Sequence, residues 1–146
     1  MSFFKDLFAS KPKPTYEHPM LGTLQALSLN GENTTWSTTW EVLSEPVALS
    51  LNGTEQAPSS GSIRSLESIV ATQTILETAK AAVLDTLRNA DEAYPTEHFD
   101  RDMRLVAISI YGPGSFEISY EQRNDPFYHF NAQFMNGEVD GVSVDS

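Results

Sequence analysis

The sequence predicts an α+β fold, with antiparallel strands in the order βββ-α-ββββ and one long central helix packed on a sheet face. Three observations predict it. A single stretch, 62–90, carries sustained helical periodicity. Runs with period-two alternation lie on both sides of it. The separators between those runs include Asn30-Gly31, Gly112-Pro113-Gly114 and Asn136-Gly137, which are strong tight-turn signals.

The helix rests on Ile63, Leu66, Ile69, Val70, Leu76, Ala79, Val83, Leu84, Leu87 and Ala90, which recur at the spacing of one apolar stripe. Ser62 is the expected N-cap, since its hydroxyl can accept from an unpaired N–H of the first turn. A continuous helix here would span ~43 Å, long for so small a domain. The weak helix formers Val70, Thr72, Thr74 and Ile75 sit in mid-run and favour a bend or break near Thr72.

Before the helix, residues 1–14 form an aromatic segment and a stiff Lys/Pro linker (Lys11-Pro12-Lys13-Pro14), and 15–146 form a single domain. Phe3, Phe4, Leu7 and Phe8 would make one aromatic face of a short helix. Packing on the chain's own domain is the expected use of that face, rather than membrane contact. Strands are expected at 21–29, 34–43 and 47–51, with Glu45-Pro46 as a separator. Trp36, Trp40 and Val42 share one face of the second of these, and Val47, Leu49 and Leu51 one face of the third. After the helix, 91–102 reads as an acidic surface loop pinned by Tyr94 and Phe99. Strands follow at 104–111, 115–122, 127–136 and 139–144, and their short connections imply an antiparallel meander.

The 146 residues and 40% hydrophobic content suit one folded domain with a sizeable core. Absence of cysteine excludes disulfides, thiolate chemistry and cysteine-based metal sites. No apolar run at the start is long enough for a signal peptide or a membrane span, so a cytoplasmic location is expected. The net charge of -11 is carried mainly by 18–61, which has no base, and by 91–146, where only Arg101, Arg104 and Arg123 oppose the acids. Such a field disfavours nucleic acid and favours a basic protein as partner.

The Phe-rich start, His18-Pro19-Met20-Leu21-Gly22 before the first strand, the strand bearing Trp36 and Trp40, the long helix, and the ending Phe134-Met135-Asn136-Gly137 with Gly141-Val142-Ser143-Val144-Asp145 form a familiar set. Together they resemble small acidic bacterial α+β proteins, some of them immunity-type or toxin-associated factors. The resemblance implies a fold and a protein-binding role, and brings no catalytic residues.

Chemistry-bearing motifs are scarce. No HExxH, P-loop, dinucleotide-binding glycine cluster or EF-hand loop occurs, and no cofactor is expected. His98 with Glu97, Asp100 and Asp102 is the candidate for a divalent cation, because imidazole and carboxylates suit such ions. An enzyme or metal-dependent binder using His98 or His129 with nearby carboxylates is the alternative reading; a non-enzymatic binding domain is the favoured one. His18, held extended by Pro19, is expected to hydrogen-bond at the start of the sheet.

Strand parity places the candidate interaction surface. Glu117, Ser119 and Glu121 oppose Phe116, Ile118 and Tyr120. His129, Asn131 and Gln133 oppose Phe130, Ala132 and Phe134, and Ser143 and Asp145 oppose Val142 and Val144. On paired strands these eight residues would merge into one polar, acidic patch facing a basic partner.

Overall fold

The structure is a computed structural model and describes residues 13–28, 33–42 and 45–145. Eight strands form one sheet in sequence order: β1 (Thr15–His18), β2 (Gly22–Ser28), β3 (Thr34–Val42), β4 (Glu45–Gly53), β5 (Met103–Gly112), β6 (Ser115–Gln122), β7 (Asp125–Met135) and β8 (Glu138–Asp145). Between β4 and β5 the chain forms α1 (Ser60–Ala71), α2 (Gln73–Ala90), a 3-10 turn (Thr96–His98) and the one-turn helix α3 (Phe99–Asp102). Neighbouring strands are antiparallel except β4 and β5, which run parallel, with Leu49 opposite Ile108 and Leu51 opposite Ile110. A parallel pair needs a long crossover, and the two helices supply it.

This corrects the expected βββ-α-ββββ order. Two meanders of four strands flank a helical pair, and they fuse into one mixed sheet rather than an antiparallel one. The additional strand is β1, only four residues between two prolines, too short to stand out as a strand from sequence. It pairs with β2 through Tyr16 opposite Leu24. Glu45-Pro46 is not a separator but the start of β4, opposite Val42 and Glu41. Proline is tolerated there because the first residues of a strand can do without a donor. The aromatic segment of Phe3, Phe4, Leu7 and Phe8 and the Asn30-Gly31 turn lie outside the described residues.

The single long helix is also two. Thr72 takes φ -127° and ψ 140°, an extended conformation that ends α1 and precedes α2. β-branched Thr72 loses little by leaving the helix, and its hydroxyl and N–H both donate to the Ser68 carbonyl, closing the last turn of α1. The helix starts earlier than its sequence suggests, after Ser59 rather than at Ser62. Ser62 is buried instead, its hydroxyl donating to the Asn52 side chain on β4.

Both helices cover the same sheet face. α1 packs on β4 and β5, and α2 on β6, β7 and β8. Leu66, Ile69, Leu76, Ala79 and Val83 meet Val47, Leu49, Ile108, Ile118 and Ala132 in a core that also buries Trp36 and Phe134. A fully buried aliphatic side chain contributes about 1.5–3 kcal/mol, so this layer holds the fold together. Trp36 satisfies its indole N–H by donating to the Thr54 carbonyl at 2.8 Å. The first turn of α1 is pressed against the β5–β6 turn. A Cβ on Gly61 would lie 2.4 Å from Pro113, so glycine is needed for that approach, and the Ser65 hydroxyl accepts from the Gly114 N–H at 2.9 Å. At the β7–β8 turn Asn136 and Gly137 both have positive φ, as an Asn-Gly hairpin requires.

Candidate functional site

Among the described residues no helix packs on the sheet's second face. Register brings the eight candidate residues together on it: Glu117 opposite Gln133, Ser119 opposite Asn131, Glu121 opposite His129, Asn131 opposite Ser143 and His129 opposite Asp145. On the β5 side the same rows continue through Arg104, Ala107 and Ser109. The floor at the sheet centre is made of small residues, and the larger side chains stand around it.

These residues do not form the uniformly acidic patch that parity alone suggests. Ser119, Glu121 and Asn131 are buried, Asn131 to 4% exposure. The Arg104 guanidinium donates to one oxygen of Glu121, and the His129 Nε2 lies 3.3 Å from the other. Asn131 Nδ2 donates to Asp145 at 2.7 Å and to Ser143 at 3.3 Å. Gln133 reaches the same Ser143 hydroxyl at 3.5 Å. The Glu121 carboxylate is thus a structural ion-pair member, and Glu117 and Asp145 are the carboxylates that face outward.

Sequence reasoning missed three residues of this face. Arg104 was hidden by the register shift between Leu105 and Ala107, which breaks simple alternation along β5. Tyr111 and Met135 are large, apolar and exposed at 59% and 52%. Tyr111 hydrogen-bonds Ser109 and feels the Glu117 charge, which with burial raises its hydroxyl pKa, burial being the larger cause. Met135 continues the Gln133 side of β7, its sulfur 3.8 Å from the Ser115 hydroxyl. Their signal was present in the alternation with Ser109 and Gln133, but exposure is not readable from sequence.

The cation candidate does not assemble. Asp100 accepts from Lys80 at 2.9 Å, while Asp102 accepts from the Tyr94 hydroxyl at 2.9 Å and from Arg101 at 2.8 Å. Hydrogen bonding from Arg101 leads the causes that hold the Asp102 carboxyl below the usual carboxylate range. His98 stands edge-on to Tyr94, 6.5 Å between ring centres. Among the described residues no group of three or more His, Asp or Glu side chains is placed to hold a metal ion. His18 is buried and structural: its Nδ1 accepts from the Met20 and Leu21 N–H groups at 3.1 and 3.2 Å, fastening the β1–β2 turn. No helix among the described residues is long and apolar enough to cross a membrane.

Among the described residues, fold and site together define an eight-stranded mixed sheet with one helix-covered face and one polar face on which no helix packs. No family model, no curated protein and no solved structure matches the chain.

Proposed function

We propose that the chain is a non-enzymatic protein-binding domain that docks a basic partner on the open sheet face. The observation that carries this reading is the composition of that face: Glu117 with the exposed anchors Tyr111 and Met135 towards one end, and Asp145 at the other, across a hydrogen-bonded floor. Aromatic and methionine side chains are the residues that interfaces concentrate, and a charged surround steers a partner of opposite sign. Size agrees as well. Eight strands about 4.8 Å apart and roughly 25 Å long offer on the order of 800 Å², one partner's share of a standard interface. In its sharpest form the partner is a basic toxin that this chain neutralises, the role implied by the resemblance to immunity-type proteins.

The test uses Glu117→Lys combined with Tyr111→Ala. Glu121 is left alone, because reversing a buried, paired carboxylate would test folding and not docking. Immobilised native chain should hold a basic protein from native lysate at low salt and release it at high salt. The double variant, folded by circular dichroism, should lose at least tenfold in affinity for that same purified protein. Equal affinity in both chains would remove the open face as the docking surface.

A further inference from the structure

A second feature lies on the other side of the sheet, at the end where β4 and β5 begin. The start of α2, α3 and the ends of β5 and β6 enclose a cleft of about 390 Å³, within the range of small-molecule sites. Its apolar lining is Leu76, Phe99, Met103, Leu105 and the ring of Tyr120. Phe99 is fixed from both sides, edge-on to Tyr120 with 5.4 Å between centres and under the Lys80 ammonium at 5.3 Å.

The polar groups of the cleft divide sharply. Its cations are each ion-paired, Lys80 with Asp100, Arg123 with Glu45 and Arg104 with Glu121, while the Arg104 Nε is buried without a hydrogen-bond partner among the described residues. Tyr120 is not matched. The residue is 7% exposed, yet its hydroxyl makes no hydrogen bond to a described residue, and the atom is open to the cleft rather than sealed in protein. A hydroxyl that opens into an apolar cleft with no protein acceptor is free to donate to a ligand there. Glu77, also on the lining and without a partner among the described residues, adds negative charge where an anion would have to enter.

We infer that this cleft binds a small, uncharged molecule with an aromatic or branched apolar body and a carbonyl oxygen, which accepts a hydrogen bond from the Tyr120 hydroxyl. The apolar body fills the space between Leu76, Phe99, Met103 and Leu105. Each cation at the rim faces a carboxylate and Glu77 adds another, so the lining carries no net positive charge to select a carboxylate. Arg104 borders both regions, but Tyr120 and the apolar lining lie on the helix-covered face, so either site can fail without the other.

The experiment titrates the full chain with acetophenone, its near-isosteric hydrocarbon ethylbenzene, and benzoate, following backbone amide shifts by NMR. Acetophenone should move Leu76, Phe99, Met103, Leu105 and Tyr120 in a saturable way. Tyr120→Phe keeps the ring and removes the donor. It should weaken acetophenone about 3–10-fold, the usual net value of one hydrogen bond, and leave ethylbenzene unchanged. Benzoate should bind more weakly than acetophenone. Unchanged acetophenone affinity in the variant, shifts that map elsewhere, or tighter binding of benzoate would each overturn the assignment. If Tyr120→Phe lowers the melting temperature enough to blur the titration, Leu105→Phe, which fills the cleft from its half-buried edge, gives the second arm. It should abolish binding of acetophenone and ethylbenzene alike, and retained binding would place the site elsewhere.

Discussion

The two faces of β6 are alternate residues of one strand, yet they are buried by different physics. Phe116, Ile118 and Tyr120 are buried under helices, and what holds them is removal of apolar surface from water. Ser119 and Glu121, one residue away each time, are buried to a similar degree with no helix above them. Their neighbours on the sheet cover them, and the Glu121 carboxylate depends on two particular partners, Arg104 and His129. The first kind of burial is non-directional and shared among many contacts. The second is specific, so losing one partner strands a charge. A face that is rigid through hydrogen bonds yet polar is suited to recognition, whereas the apolar face is suited to folding.

The largest expected effect lies on the covered face. Val83→Asp places an unpaired charge in the helix–sheet core and should cost about 4 kcal/mol or more, enough to unfold a domain of ordinary stability. Leu76→Asp, at the edge of the cleft, should cost less than Val83→Asp because Leu76 keeps 8% exposure. Circular dichroism melts read both, and an unchanged transition in Val83→Asp would break the assignment of the core.

Next comes the open face. Arg104→Met should destabilise by about 2 kcal/mol in urea titrations, discounted for the 40% exposure of the arginine side chain, because Glu121 then keeps only His129. Adding Glu121→Gln should restore part of that loss. If the double change is additive instead, the pair does not act as a unit and the contrast between the faces weakens.

Alkaline pH offers a third, comparable effect. Burial pushes the Tyr120 hydroxyl up to about 12, with the Asp100 charge adding to it, and burial and the Asp102 carboxylate do the same for Tyr94. In the unfolded chain both would ionise near pH 10. A raised folded pKa means the stabilisation is complete below pH 10 and is lost as pH rises through 12. For Tyr120 this amounts to about 2–3 kcal/mol. Tyr120→Phe should flatten the fall in stability between pH 10 and 12. An unaltered slope would show that the hydroxyl is not desolvated.

Much of the covered face was legible in the sequence because its physics is periodic. The stripe from Leu66 to Val83 and the Phe116, Ile118, Tyr120 alternation identify core residues without any knowledge of what they meet. Turn chemistry located the β7–β8 hairpin at Asn136-Gly137. The parallel joining of β4 to β5 was not legible, because no local pattern encodes which strands become neighbours across a crossover. β1 escaped because four residues carry too little alternation, and the break at Thr72 was only suggested by weak helix formers. On the open face, parity found Glu117 and Asp145 but could not show that Glu121 is spent on Arg104. That pairing is set by the β5 register shift, and the exposure of Tyr111 and Met135 depends on what does not cover them. The cleft depends on three separate segments meeting and leaves no trace in the sequence.

The most direct test of the docking reading is carboxylate footprinting of the chain, free and bound to the basic protein it captures. Carbodiimide labelling modifies exposed acids, and mass spectrometry reads each position. Glu117 and Asp145 should lose reactivity in the complex, while Glu77 and Asp85 on α2 keep theirs. Protection of the α2 acids with Glu117 and Asp145 still fully reactive would place the partner on the helical face and contradict the account.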